Sequence, residues 1–279
     1  MRGAAAYTAL FERLARSGCG AFVPFAVVGD PDPATSLALI SALAGSGAGA
    51  LELGLPFSDP VADGPAIQAA CGRALADRTR GEGAWRIVEQ VRARHQDIPI
   101  GLLVHANLVV HAGEDRFFAR AAEAGVDAVL VADAPLHESA PLERAANAHG
   151  VAPVLIAPPN ASPDRLAAIA ARSRGYVYVT SRPGVTGVHE GPRPDVARIV
   201  ATLRQSGAPP PLLGFGIARP AHVAAALEMG AAGAICGSAI ADRIERDPAG
   251  GERLVSRLTT FVREMSDAAR LPPSRRTLS

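Results

Sequence analysis

The run Asp127-Ala128-Val129-Leu130-Val131-Ala132, followed by Glu138–His149, Ala152–Ala157 and Pro163–Arg172, reads as strand, helix, strand, helix. A short, unbroken apolar run describes a strand buried on both faces, and a helix between two such strands is the crossover of a parallel sheet. Ser162-Pro163-Asp164 marks one helix start and Gly230 one helix stop. Outward from this stretch the unit repeats. Strand-like runs occur at Ala21–Val28, Ala50–Leu55, Pro99–Val104, Asp127–Ala132, Ala152–Ala157, Gly175–Thr180, Leu212–Ile217 and Gly233–Gly237. Helical spacing fills the gaps at Ala34–Gly45, Pro65–Ala76 with Gly83–His95, Glu114–Gly125, Glu138–His149, Pro163–Arg172, Pro194–Ser206 and Pro220–Gly230, and a long closing helix reaches about Ala269.

Eight alternating units in 279 residues close most economically as an α/β fold of one (β/α)8 TIM barrel. The competing architecture, a doubly wound open sheet, lacks a GxGxxG after the first strand and a second composition regime. The leading amphipathic segment Tyr7–Ser17 is expected to cap the barrel bottom, and a short extra helix is expected after strand eight. A single domain over 1–279 is expected, with about 270–279 as a flexible tail.

Composition narrows the chemistry. Lys+Arg total 28 against 27 Asp+Glu, and no lysine occurs, so all 28 basic residues are arginine. A lysine Schiff base, a pyridoxal phosphate linkage and a Walker P-loop are thereby excluded. The arginines are scattered singly, which argues against a nucleic-acid footprint. No apolar stretch approaches the roughly 18 residues of a membrane span, and no signal-peptide pattern precedes Glu12, so a cytoplasmic protein is expected. Cys19, Cys71 and Cys236 show no paired spacing, and none of the seven histidines has metal-ligand spacing, so no metal is expected.

In such barrels the chemistry sits at the C-terminal strand ends. In Ala50-Leu51-Glu52-Leu53-Gly54-Leu55, period two turns the leucines toward the helices and Glu52 toward the barrel interior. A carboxyl there loses hydration, keeps its proton nearer neutrality and suits a general acid. The alternative, a structural ion pair, finds no arginine in any proposed strand core. The loop Pro56-Phe57-Ser58-Asp59-Pro60-Val61-Ala62-Asp63-Gly64-Pro65 is stiffened by three prolines. Either Asp59 or Asp63 is placed to reach over the barrel mouth, and both also read as turn or helix-capping residues.

Glycine-rich turns follow the last three strands, at Ser181–Gly187, Gly214-Phe215-Gly216-Ile217 and Gly237-Ser238-Ala239-Ile240. Together they read as a phosphate cradle, with backbone amides and Ser238 as donors in a chain without lysine. His105, at the end of strand three, reads equally as a substrate contact at the mouth or as a structural histidine. Of Tyr176 and Tyr178, one is expected to point inward, with Tyr178 favoured as nearer the C-terminal strand end.

These segments, with Ala21-Phe22-Val23-Pro24-Phe25, Gly29-Asp30-Pro31 and Val131-Ala132-Asp133, resemble the tryptophan synthase alpha subunit family from about Phe11 to about Val262. The resemblance implies retro-aldol cleavage of indole-3-glycerol phosphate to indole and D-glyceraldehyde 3-phosphate, late in tryptophan biosynthesis. It implies Glu52 as the acid/base at indole C3 and Asp63 as the carboxylate that takes the indole N–H. It further implies Phe25, Leu103, His105 and Tyr178 around the indole, and Thr186, Gly187, Gly214, Gly216, Gly237 and Ser238 around the phosphate. Asp59 and Arg182 would lie in loops that couple to a beta subunit, which would carry the pyridoxal phosphate that this chain lacks, in an α2β2 heterotetramer. His105 stands where the family usually has Tyr, Val27 where it usually has Thr, and Pro183 follows Arg182. The alternatives within the same chemistry are a stand-alone lyase releasing free indole and a catalytically weak regulatory subunit. A different phosphosugar barrel enzyme would leave the Glu52–Asp63 segment unexplained.

Overall fold

A computed structural model describes residues 2–181, 196–247 and 250–270. Eight parallel strands, β1 (Ala21–Val27), β2 (Leu51–Gly54), β3 (Ile100–Val104), β4 (Ala128–Val131), β5 (Ala152–Ala157), β6 (Val177–Thr180), β7 (Pro211–Gly214) and β8 (Gly233–Cys236), pair in chain order and close into a barrel. Closure is made by β1 on β8, with Ala21 opposite Gly233. A Cβ on Gly233 would lie inside the Ala21 carbonyl, so only glycine permits this approach.

The helices are α1 (Ala4–Ser17), α2 (Pro33–Ala44), α3 (Pro65–Ala76), α4 (Glu82–Arg94), α5 (Ala106–Ala112), α6 (Glu114–Glu123), α7 (Ala140–Ala148), α8 (Pro163–Arg172), α9 (Val196–Gln205), α10 (Pro220–Glu228), α11 (Ser238–Glu245) and α12 (Gly251–Asp267). Local chemistry starts several of them. Asp32 accepts the Thr35 N–H (2.9 Å) ahead of α2, Ser162 accepts the Arg165 N–H (3.3 Å) ahead of α8, and each of these two helices begins with proline.

The short extra helix expected after strand eight is α11, and the long closing helix expected to reach about Ala269 is α12, at whose start Gly250 and Gly251 both take positive φ. Strand seven ends earlier than expected. Phe215 and Gly216 adopt φ 68° and 70°, which takes the chain out of the sheet directly after Gly214. The short helix α5, only seven residues long, has too few turns to display a period and was not expected.

Two apolar layers result. Leu51, Leu53, Ile100 and Leu102 face outward onto helix residues such as Trp85, Val88, Phe118 and Ile169. Val23, Phe25, Val27, Ala50, Leu130, Val154, Tyr176, Tyr178, Leu212 and Ile235 fill the inside. Helix α1 plugs the bottom as expected, with Tyr7 and Leu10 buried and the Tyr7 ring 5.2 Å from that of Tyr176. Beneath the strands, buried Asp127 accepts from Arg92 (2.6 Å) and from the N–H groups of Ile100 and Gly3. The bottom is thereby sealed, and the C-terminal mouth is left for chemistry.

Candidate active site

Glu52 occupies the position that strand periodicity gives it. Paired in register with Phe25 of β1 and Gly101 of β3, it points into the barrel and is buried. Its Oε1 accepts the Tyr176 hydroxyl at 2.7 Å, while Oε2 has no hydrogen-bond partner. Burial raises the carboxyl to about 7; the Tyr176 hydrogen bond opposes that shift, and the nearby Asp63 charge adds to it. At neutral pH such a group is present in both protonation states, which suits a residue that must give a proton and take one back.

Tyr176 was not expected to be Glu52's partner. The expectation that only one of Tyr176 and Tyr178 points inward is corrected: both are buried in the inner layer. Residues two apart on a strand share a face, so an inward Tyr178 requires an inward Tyr176. The two have different tasks. Tyr176 lies deeper and holds Glu52, whereas Tyr178 lines the cavity at the mouth.

The proline-rich loop between β2 and α3 delivers Asp63 to the mouth. Its N–H donates to the Pro60 carbonyl (2.9 Å), and the Gln68 side chain donates to its carbonyl (2.8 Å), which closes the loop against α3. Gly64 is the N-cap of α3, with Pro65 following, and no side chain caps that terminus. The carboxylate of Asp63 is therefore not used as a cap. It is buried in the cavity wall, and burial, aided by Asp133, raises it to about 6. Asp59 is exposed, so the structure separates the two candidates that the pattern left open.

His105 sits behind Asp63 rather than on the cavity surface. Its ring stacks on Phe57 (centroids 5.3 Å apart, 29° between planes), and its Nε2 lies 3.7 Å from Asp63 Oδ2. Of its two readings, direct substrate contact and structure, the geometry places it one layer away from the cavity.

Glu52 and Asp63 share a cavity with Phe25, Ile67, Leu103, Tyr178, Phe215 and Ile235, closed at one end by Gly216, Gly237 and Ser238. One end is thus apolar and aromatic with two carboxyls, and the other is glycine-lined at the N-terminus of α11. That terminus has no side-chain cap and presents backbone N–H groups and the positive end of a helix dipole, with Ser238 as the first helical residue. Phe215, in a left-handed conformation that costs a non-glycine residue about 1–3 kcal/mol, bends the chain under Tyr178. Gly214 serves a different neighbour: a Cβ there would lie inside the Tyr178 ring, so its glycine makes room for the tyrosine. Val27 is buried in the inner layer, opposite Gly54.

Arg182, Pro183, Thr186 and Gly187 lie outside the described residues. Ile67, Ile235 and Phe215 were missed as wall residues. Their only signal was position, near strand ends or in the first turn after the acidic loop. No group of three or more metal-ligating side chains occurs among the described residues.

Comparison with known proteins places the chain in a family. A family model described as tryptophan synthase alpha chain matches residues 11–270. The tryptophan synthase alpha chain of Shewanella oneidensis is 51% identical over 265 residues, covering 95% of each chain. Among solved structures, a Mycobacterium tuberculosis tryptophan synthase superposes with a TM-score of 0.86 at 27% identity, covering 95% of this chain and 98% of that one. A tryptophan synthase complex from Pyrococcus furiosus gives 0.79 at 32% identity, over 89% and 98%.

Proposed function

The chain belongs to the tryptophan synthase alpha chain family, a lyase family of tryptophan biosynthesis, and on that premise we propose that Glu52 and Asp63 carry its carbon–carbon cleavage. The substrate is indole-3-glycerol phosphate and the products are indole and D-glyceraldehyde 3-phosphate. The observation that carries the residue assignment is the pair of buried carboxyls, raised to about 7 and about 6, in one cavity that is apolar at one end and glycine-lined at the other.

The chemistry follows from that layout. The phosphate rests on the amides at Gly216, Gly237 and Ser238, where the α11 dipole and the Ser238 hydroxyl replace a basic side chain. The indole packs among Phe25, Leu103, Ile67 and Tyr178. Asp63, ionised, accepts the indole N–H and favours the positive charge that develops on the ring. Protonated Glu52 delivers its proton to indole C3, and the ring becomes the electron sink. The carboxylate so formed takes the proton from the side-chain hydroxyl on the carbon attached to C3. The bond between that carbon and C3 breaks, its electrons restore the aromatic ring, and the aldehyde leaves. No imine is required, consistent with a chain that has no lysine.

Glu52→Gln tests the assignment. The expected result is loss of indole release by about 100-fold or more with substrate binding kept, and turnover near the parent rate would overturn it.

We further propose a beta subunit partner that docks over the barrel mouth, forms an α2β2 heterotetramer and itself carries the pyridoxal phosphate. Val61, on the Asp59–Asp63 loop, and Val110, on α5, are the large apolar side chains that stand exposed among the described residues, and both lie at the mouth end. Adding beta subunit should raise indole-forming turnover; an unchanged rate would favour the stand-alone lyase. Cytoplasmic location belongs to this reading too, and no described helix is long and apolar enough to cross a membrane.

A further inference from the structure

His105 has a buried nitrogen that the reaction as described does not use. Its side chain is 3% exposed, and its Nε2 has no hydrogen-bond partner. A buried polar atom left unsatisfied destabilises the fold, so its position requires a reason. The nitrogen faces Asp63 Oδ2 at 3.7 Å, just beyond hydrogen-bond range, and a movement of less than about 1 Å would complete the bond. The ring is aimed by its surroundings. Phe57 stacks on one face, and the chain at His105 is the N-cap of α5, whose first N–H (Ala106) donates to Asp133 Oδ1 at 2.7 Å. Asp133 thus pins α5 to the end of β4, and the imidazole is held between that anchor and the acidic loop.

We propose that His105 is a positioning residue for Asp63: its Nε2–H donates to the Asp63 carboxylate, holding it ionised and oriented toward the indole-binding cavity. The inference rests on the reading of Asp63 as the carboxylate that takes the substrate N–H. The charged groups around the ring are Asp63 and Asp59 from the β2–α3 loop and Asp133 from beyond β4. All are acidic and favour a protonated imidazole, yet burial outweighs them and holds His105 below its ordinary range. The ring therefore acts as a neutral donor, with its single proton on the nitrogen that faces the carboxylate. A neutral donor stabilises the ionised form of Asp63 without placing a competing cation beside an indole ring that must itself become positive.

The test is carried out on the full chain, with three readouts. In the parent, ring-nitrogen NMR should show neutral His105 protonated at Nε2 around neutral pH; a ring protonated at Nδ1 would overturn the proposal. With carbon-13 aspartate, the Asp63 titration midpoint should rise by about one pH unit in His105→Phe, which keeps the stack on Phe57 and removes the donor. His105→Gln, which restores an N–H donor, should return it toward the parent value. Because Asp63 must be ionised to accept the indole N–H, the acid limb of kcat/KM should move with that midpoint. The loss in His105→Phe is then about tenfold on the acid side and shrinks as pH rises. An Asp63 midpoint unchanged in His105→Phe overturns the proposal. Full activity in Asp63→Asn would instead remove the catalytic reading of Asp63, and the titration experiment would still decide whether His105 sets its ionisation.

Discussion

At the scale of single residues, the acid/base role proposed for Glu52 carries a stability cost that can be measured. Its carboxyl titrates at about 7 in the folded chain against 4.5 as an ordinary glutamate. A raised folded value means that the folded state holds the proton more tightly. Below about 4.5 the group is neutral in both states and the fold loses nothing. From there to about 7 the unfolded chain ionises while the folded one resists, so stability falls; above about 7 the loss is complete, at about 3 kcal/mol. Glu52→Gln removes the titration and keeps an oxygen for the Tyr176 hydroxyl. Denaturant unfolding of both proteins across this range should show the variant gaining on the parent as pH rises. A stability difference that stays flat with pH would contradict the assigned burial. Asp63 titrates in both proteins, and because its charge raises Glu52 the difference between them reports Glu52 together with its coupling to Asp63.

At the scale of elements, the site depends on segments distant in sequence being tied together at the mouth. Arg73 of α3 makes paired hydrogen bonds to buried Asp30 (2.7 and 3.1 Å) on the loop after β1, and its guanidinium lies 3.7 Å from Glu245 at the end of α11. Helix α3 follows Asp63 and helix α11 begins at Ser238, so one side chain links the acid loop to the helix proposed to hold the phosphate. Burial holds Asp30 above its ordinary range even against this arginine, which shows how exposed to loss the carboxylate is. Arg73→Leu should therefore destabilise by about 3 kcal/mol, and Asp30→Asn added to it should recover part of the loss. Thermal or denaturant melts of the two variants check this; additive losses would mean that the pair is not coupled. Such links were not legible in the sequence, because Asp30 and Arg73 are 43 residues apart and no local period or spacing joins them. His105 and Asp63 escaped notice as a pair for the same reason. What was legible had a local period: Glu52 inward by alternation, Asp63 on a loop stiffened by proline, and eight strand–helix units by repetition. Helix α5 and the early end of β7 were not, since seven residues carry no period and the positive φ of Phe215 leaves no trace in its residue type.

At the scale of the whole molecule, the barrel assigns its buried charges to two ends with opposite purposes. At the mouth, Glu52 retains an oxygen without a partner and Asp63 is raised by burial and by another acid, so the acids there are kept reactive. At the bottom, Asp127 is satisfied by Arg92, Ile100 and Gly3, and Arg92 also donates to the carbonyls of Gly125, His95, Gln96 and Ile98. That network joins α4 to the starts of β3 and β4 and receives the N-terminal residues ahead of α1. In barrels of this kind, chemistry gathers at the C-terminal face and stability at the other. Arg92→Met should leave Asp127 buried without its cation and cost about 3–5 kcal/mol. At a temperature where the variant remains folded, its KM, kcat and both limbs of its pH profile should match the parent. A shifted acid limb in Arg92→Met would show that the bottom network reaches the mouth through the Tyr7 and Tyr176 rings, a buried aromatic contact that joins the bottom plug to the tyrosine bound to Glu52.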